Sequence, residues 1–161
     1  MPSLMNQRLM TGPATASQSS LTARLSVRGG QGLSGTLKVS GAKNSALVLM
    51  TASLLTGDVV ELSNVPELTD IAGMGDILRC LGVSVDRQND RMRLQADQLS
   101  SAKPPYELVN SLRASFFSIG PLLGRLGQAE VPLPGGCRIG ARPVVEHIRG
   151  LKALGAHVSV E

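Results

Sequence analysis

The feature that most constrains the fold is a pattern that occurs twice in the chain, about seventy residues apart. When KNSALVLMTASLLTGDVVEL is aligned with RASFFSIGPLLGRLGQAEVPL, Lys43 falls on Arg113. When TDIAGMGDILRCLGVSV is aligned with RPVVEHIRGLKALGAHV, Gly82 falls on Gly155. Each copy has the pattern of helix, strand, helix and strand. Units of this kind stack because one copy cannot bury its own apolar face. The sequence therefore predicts an α/β fold built from repeated helix–strand units.

The two copies and the segments around them define the expected organisation of the chain. Residues 1–22 are rich in Ser, Thr, Gln and Pro and predict a disordered leader. Residues 23–161 predict one partial domain, with repeat units over about 41–97 and 106–161. Glycine positions and hydrophobic periodicity predict strands over 23–30, 35–41, 58–66, 128–134 and 156–161, helices over 42–55, 68–82, 105–127 and 142–155, and a hairpin over 83–97.

Local signals within these elements give more specific predictions. The hairpin is expected to turn at Asn89-Asp90. Thr69 or Asp70 is expected to cap helix 68–82, and Pro121 is expected to bend helix 105–127. The apolar spacing of helix 68–82 predicts one buried face, made by Ile71, Met74, Leu78 and Leu81.

The charge and aromatic content limit the classes of ligand. The chain has 16 Lys and Arg residues against 12 Asp and Glu residues, which gives a formal net charge of +4. The basic residues form no run, and aromatic residues are only 2% of the chain, too few to stack on bases. These features argue against nucleic acid as a partner and favour a small phosphorylated or carboxylated substrate.

The two cysteines, Cys80 and Cys137, provide neither a disulfide framework nor the spacing of a metal site. We therefore expect a reducing, cytoplasmic location, with no metal and no cofactor. Cys80 lies between Leu78 and Leu81 and is expected in the core. No segment approaches the length of a membrane span, so no membrane partner is expected.

Lys43 and Arg113 stand at equivalent positions of the repeat, each at the start of an apolar helical segment. A cation at a helix N-terminus adds to the field of the macrodipole, and the two together favour an anion. The alternative is a solvated side chain that covers an apolar neighbour. Asn44 is either a ligand donor or an N-cap, and the sequence alone favours the cap.

The stretch PGGCRIGARPVVEH sets Cys137 behind two glycines and near Arg138 and Arg142. Positive neighbours favour the thiolate of a cysteine, and the glycines allow a close approach of the backbone to a ligand. Pro143 stands at a natural first position of the next helix. This loop therefore predicts a reactive thiol beside an anion site, and the alternative is a tight turn with an incidental cysteine.

The same residues carry a family resemblance. The stretches VSGAKNSALVLMTASLL, NVPELTDI, PPYELVNSLRASFFSIGPLLGRLG and LPGGCRIGARPVVEHIRGLKALGA resemble, in this order, the UDP-N-acetylglucosamine 1-carboxyvinyltransferase family of enolpyruvyl transferases. The resemblance covers about residues 24–161. It implies an inside-out α/β barrel, in which helix–strand units pack around a pseudo-threefold axis. It also implies transfer of the enolpyruvyl group of phosphoenolpyruvate to the 3-hydroxyl of UDP-N-acetylglucosamine, with release of phosphate, for peptidoglycan synthesis.

The resemblance also implies a role for individual residues. Lys43 and Asn44 match the contacts of the family with phosphoenolpyruvate. Cys137 matches the loop cysteine that donates a proton and can form a covalent adduct. The residues that match the UDP-N-acetylglucosamine site are Arg113, Arg142, Pro143, Val144, Val145 and Glu146.

This chain departs from the family pattern in two ways. Many members read RPVDLH where this chain reads RPVVEH, so the carboxylate moves from position 145 to Glu146. Members are also much longer, with the site in a cleft between two similar domains, so a missing C-terminal portion is expected to complete the site. Two alternatives remain open. One is an inactive or binding-only fragment. The other is the shikimate-pathway enolpyruvyl transferase, which lacks the cysteine loop.

Overall fold

The computed structural model describes residues 25–30, 32–133 and 144–160. The chain divides into two units, Met1–Leu37 and Lys38–Glu161. The α-helices of the second unit are Lys43–Ala52 (α1), Thr69–Cys80 (α2), Tyr106–Ser111 (α3), Ile119–Leu126 (α4) and Val145–Ala153 (α5). Its strands are Val59–Leu62 (β1), Ser84–Gln88 (β2) and Arg91–Gln95 (β3), and its 3₁₀ helices are Ser53–Leu55 and Arg113–Ser118.

The predicted strands over 23–30 and 35–41 are wrong for the residues that the structure describes. Residues 25–30 and 32–40 form neither helix nor strand, and all of them are exposed. A β-strand requires backbone hydrogen bonds to a neighbouring strand. The alternation of apolar residues in this segment favours an extended backbone. Whether an extended segment pairs with another strand depends on residues that are distant in the sequence.

The three strands form one antiparallel sheet in the order β1-β3-β2. In this register Leu94 of β3 lies opposite Val60 of β1 and Val85 of β2. The hairpin between β2 and β3 turns at Asn89-Asp90 as predicted, and Asn89 has a φ of 56°. Asparagine tolerates this left-handed conformation better than most residues, which is why the sequence signal was reliable.

The core lies between α1, α2 and one face of the sheet. The predicted face of α2 is confirmed, since Ile71, Met74, Leu78 and Leu81 are all fully buried. The prediction that Cys80 belongs to this core is wrong, because Cys80 is exposed. Successive helical residues are about 100° apart around the axis, so Cys80, two residues after Leu78, lies about 200° from it around the helix.

The C-terminal ends of α2 and α5 have the same backbone geometry. Gly82 and Gly155, which the repeat aligns, follow these helices with φ of +100° and +96°. The amide of the next residue returns to the helix in each case, from Val83 to the Leu78 carbonyl and from Ala156 to the Leu151 carbonyl, both at 3.0 Å. Glycine at this position avoids the steric cost of a left-handed residue. Two segments of different burial therefore end in the same way.

The helical region of the second copy is broken at a place that the sequence did not predict. Leu112 separates α3 from the 3₁₀ helix Arg113–Ser118 with extended dihedral angles, φ −132° and ψ 101°. Pro121 does not lie inside one continuous helix, as the prediction of a bend there assumes. Pro121 lies in the first turn of α4, where the missing amide hydrogen removes no intrahelical hydrogen bond.

The strands predicted over 128–134 and 156–161 are also wrong for the described residues. Residues 128–133 and 156–160 have no strand assignment, and no ladder partner for them lies among the described residues. None of the residues of α5 is buried. In the described part of the chain, no helix combines the length and apolar character that a membrane crossing requires.

Candidate functional site

Lys43 is the first residue of α1, as the repeat predicts. Its ammonium Nζ lies 2.6 Å from Oδ2 of Asp70, which is in the first turn of α2. Both side chains are partly open to solvent, with 45% of Lys43 and 38% of Asp70 exposed. The first turn of α1 has no acidic residue of its own. Asp70 therefore supplies the negative charge that offsets a cation at a helix N-terminus.

The capping predictions for these two helices are wrong. The N-caps are Ala42 for α1 and Leu68 for α2, and neither helix start has a side-chain cap hydrogen bond. Asn44 is an exposed residue of the first turn, since the helix already begins at Lys43. Asn44 is therefore open to solvent close to Lys43, and Asp70 is occupied by the lysine.

A close backbone approach supports the start of α1. A Cβ on Gly41 would lie 1.9 Å from the carbonyl oxygen of Asn64, so a side chain does not fit there. Asn64 itself has a left-handed φ of 57°. The missing Cβ of Gly41 allows the segment before α1 to lie close to the loop that leads into α2. The helices that follow these two segments begin at Lys43 and Thr69.

Arg113 is the first residue of the 3₁₀ helix Arg113–Ser118, and this helix packs against α1. Its side chain is half-buried and makes no hydrogen bond or ion pair with any residue that the structure describes. Lys43 and Arg113 thus hold equivalent positions at the starts of two packed helices. At the start of α1, an anion would meet a cation and the backbone amides of the first helical turn.

The start of α5 holds three more of the predicted residues. Val144 is its N-cap, and Val145 is 61% exposed. The Oε2 atom of Glu146 lies 2.6 Å from a guanidinium nitrogen of Arg149, one turn further along the helix. An acid in the first turn with a base three residues later stabilises the helix. The family pattern has a carboxylate at position 145. In this chain the carboxylate is on Glu146, and its partner Arg149 lies on the same helix.

The start of α5 and the helix that carries Arg113 are joined by one aromatic contact. The rings of Phe116 and His147 meet edge to face, with centroids 5.6 Å apart. Cys137, Arg142 and Pro143 lie outside the described residues.

A cleft of about 500 Å³ separates α4 from α5. Most of the residues that line it are of apolar type, among them Phe116, Ile119, Leu123, Ile148, Leu151 and Val158. None of the predicted site residues that the structure describes lines this cleft. Over the described ranges, no cluster of three or more His, Cys, Asp or Glu side chains is arranged to hold a metal ion.

Asp70 is the site residue whose role the sequence did not predict. Its position suggested a helix cap, because nothing local connects it with Lys43. The charge pair forms through the packing of α1 on α2.

Residues 27–161 match the sequence profile of EPSP synthase (3-phosphoshikimate 1-carboxyvinyltransferase). The chain belongs to the EPSP synthase family. The match spans both copies of the repeat, so it includes the helix starts at Lys43 and Arg113 as well as the segment that leads into α5.

Close relatives of this chain are named UDP-N-acetylglucosamine 1-carboxyvinyltransferase. The protein from Synechococcus sp. strain CC9605 is 74% identical over 94% of this chain. The proteins from Parasynechococcus marenigrum strain WH8102 and Prochlorococcus marinus strain MIT 9313 are 71% and 67% identical over the same share. The chain spans 35% of the length of each of these three curated relatives.

A solved structure confirms the predicted fold class for the EPSP synthase family chain. The crystal structure of the enolpyruvyl transferase NikO from Streptomyces tendae is similar, with a TM-score of 0.56 and 27% identity. The similarity covers 63% of this chain and 24% of NikO. The fold is α/β and enolpyruvyl transferase-like, and the three-stranded sheet is part of an incomplete domain.

Proposed function

We propose that the protein transfers the enolpyruvyl group of phosphoenolpyruvate to the 3-hydroxyl of UDP-N-acetylglucosamine and releases phosphate, the first committed step of peptidoglycan synthesis. The observation that carries this proposal is the name shared by relatives that are 67% to 74% identical over 94% of the chain. The family profile and the enolpyruvyl transferase fold agree with this reaction class.

The chemistry requires cations where phosphate departs and an acid at the enolpyruvyl methylene carbon. The sugar hydroxyl loses its proton as its oxygen adds to the carbon that bears the phosphate ester, and a proton goes to the methylene carbon. Loss of phosphate and of one proton then restores the double bond. Lys43, with Asn44 beside it, is our candidate to bind the phosphate of phosphoenolpyruvate, since its ammonium stands at a helix start.

The remaining roles follow the family resemblance. Cys137 is proposed to donate the proton to the methylene carbon and to form a covalent adduct with phosphoenolpyruvate. Arg113, half-buried and without a partner in the described part of the chain, is proposed to bind the nucleotide sugar close to the phosphate. The segment proposed to line the sugar-nucleotide site is Arg142, Pro143, Val144, Val145 and Glu146.

Phosphate release tests this function. The purified chain is supplied with phosphoenolpyruvate and UDP-N-acetylglucosamine, beside a Cys137→Ala variant. The proposed reaction predicts release that requires both substrates and is lost in the variant, whereas a site that still needs its C-terminal portion predicts no release. Omission of each substrate in turn is the control for hydrolysis of phosphoenolpyruvate. Release that persists without the sugar nucleotide would contradict the proposal.

A binding-only protein is the second candidate, because the chain spans 35% of the length of its relatives. It predicts binding of UDP-N-acetylglucosamine by calorimetry without phosphate release from the pair of substrates. The choice of acceptor distinguishes the shikimate-pathway reaction from the proposed one. The shikimate-pathway reaction predicts phosphate release when shikimate 3-phosphate replaces the sugar nucleotide.

The proposed location is the cytoplasm. Its support is the sparse use of cysteine, since a chain with two cysteines at unrelated positions has no disulfide framework to maintain.

A further inference from the structure

We infer that Asp70 is a positioning residue for Lys43: its carboxylate holds the ammonium at the start of α1 in the place where it binds the phosphate of phosphoenolpyruvate. This inference rests on the proposed function and adds to it a residue on a different helix. The decisive observation is the distance of 2.6 Å between Nζ of Lys43 and Oδ2 of Asp70.

The first step of the argument is the conformational freedom of lysine. A lysine side chain has four rotatable bonds and loses about 2 kcal/mol of rotamer entropy when it is fixed. With 45% of its side chain exposed, Lys43 has little packing to hold it. Asp70 supplies a charged hydrogen bond at one end of the side chain, so the ammonium has a defined place before a substrate arrives.

The second step is the number of donors. An ammonium has three N–H donors, and a single carboxylate oxygen at 2.6 Å takes one of them. The other donors remain for an anion or water. The pair is therefore compatible with simultaneous binding of a phosphate to the same lysine, and Asp70 need not leave.

The third step is the local field. Lys43 lies at the positive end of α1, where a cation is unfavourable by itself. Asp70 lies in the first turn of α2, where a carboxylate is favoured. The packing of α1 on α2 brings the two charges together. The carboxylate of Asp70 therefore offsets the unfavourable interaction of the Lys43 ammonium with the positive end of α1.

Positioning and simple charge repulsion predict opposite results. If Asp70 only adds negative charge near the site, its neutralisation strengthens the binding of an anion. If Asp70 holds Lys43 in place, its neutralisation weakens that binding. Asp70→Asn keeps the size of the side chain and removes the charge. Asp70→Glu keeps the charge and moves it by one methylene.

The experiment measures the affinity of the 161-residue chain for phosphoenolpyruvate and, separately, for UDP-N-acetylglucosamine by calorimetry. We expect Asp70→Asn to weaken phosphoenolpyruvate binding about threefold to tenfold, the size of coupling between residues in direct contact. Affinity for the sugar nucleotide should not change. Asp70→Glu should recover part of the loss. In a Lys43→Ala background, Asp70→Asn should cause no further loss.

Asp76→Asn is the matched control. Asp76 is also on α2 and also forms an ion pair, with Arg79 at 2.8 Å, but on the exposed surface. Its neutralisation should leave both affinities unchanged.

Three results overturn the inference. They are unchanged or tighter phosphoenolpyruvate binding in Asp70→Asn, an equal loss for both ligands, and an equal loss in the Lys43→Ala background. Urea unfolding of each variant shows whether an equal loss comes from reduced stability. Failure of the proposed function has a different signature, because the unsubstituted chain then releases no phosphate from the two substrates, whereas the inference is tested by the binding of phosphoenolpyruvate alone.

Discussion

The guanidinium of Arg125 donates a hydrogen bond of 3.1 Å to the carbonyl of Leu54, across 71 positions of the chain. The same group donates to the carbonyls of Ala96 and Asp97, at 2.8 Å and 3.2 Å. Arg125 is in α4, which belongs to the second copy of the repeat, and its three acceptors belong to the first. One side chain therefore ties the copies together and satisfies carbonyls at the ends of a 3₁₀ helix and of β3.

Replacement of Arg125 by Met should lower the free energy of unfolding by about 2 kcal/mol. Met retains much of the apolar stem but leaves three carbonyls without their charged donor, and each such bond contributes about 1.5 to 3 kcal/mol before water replaces part of it. Urea unfolding followed by circular dichroism measures the change. Arg91→Met, at an exposed position of β3, is the control and should change stability by less than about 0.5 kcal/mol. Equal effects of the two substitutions would contradict the assigned role.

Gly82→Ala should be more destabilising than Gly155→Ala, although both glycines have a left-handed φ. Backbone strain alone costs about 1 kcal/mol at each position. A Cβ on Gly82 would also lie 2.7 Å from the carbonyl oxygen of Gln98, whereas a Cβ on Gly155 meets nothing within 4 Å. We expect a total of about 2 to 4 kcal/mol for Gly82→Ala. Comparison of the two urea midpoints checks this, and a larger loss for Gly155→Ala would show that space is not the deciding factor.

Gly41→Ala should disturb the start of α1 and weaken phosphoenolpyruvate binding as well as stability. The added Cβ would lie 1.9 Å from the carbonyl oxygen of Asn64, a backbone atom that cannot turn away as a side chain does. We expect a loss of about 2 kcal/mol or more in the free energy of unfolding. Gly120→Ala in α4 meets nothing within 4 Å and should be neutral or stabilising by up to about 1 kcal/mol. If Gly41→Ala binds phosphoenolpyruvate with the affinity of the parent chain, the contact between Gly41 and Asn64 has no role in the binding site.

Lys43→Ala and Arg113→Ala should lower ligand affinity while stability stays within about 1 kcal/mol of the parent chain. Lys43 is in a partly exposed ion pair, and Arg113 has no partner among the described residues, so neither side chain makes a large contribution to folding. We expect Lys43→Ala to weaken phosphoenolpyruvate binding and Arg113→Ala to weaken UDP-N-acetylglucosamine binding, each by about tenfold or more.

Lys38→Ala is the control for these two cation variants. Lys38 is 83% exposed and pairs with Asp90 at 3.5 Å, close to the hairpin turn. Its removal should leave both affinities unchanged. If all three substitutions weaken binding equally, the effect belongs to net charge, and the two helix starts have no special role.

The predictable part of the candidate site is the part that depends on helix starts. The repeat placed Lys43 and Arg113 at equivalent positions, and each begins a helical segment in the structure. The sequence pattern indicates Thr69 or Asp70 as a helix cap. It does not indicate the ion pair of Asp70 with Lys43, because the two residues lie on different helices and no local pattern connects them. Cys137 lies outside the described residues, so its role stays a prediction.

The sequence by itself determined the elements whose signal is local. The buried face of α2, the turn at Asn89-Asp90 and the glycine that ends each of α2 and α5 depend on helical period and on the φ range of single residues. Only the tertiary structure decided which extended segments become strands, as the unpaired residues 25–30 and 32–40 show. It also decided the contacts of Lys43 with Asp70 and of Arg125 with Leu54. Ladder hydrogen bonds and ion pairs need partners that are distant in the chain, and packing alone brings those partners together.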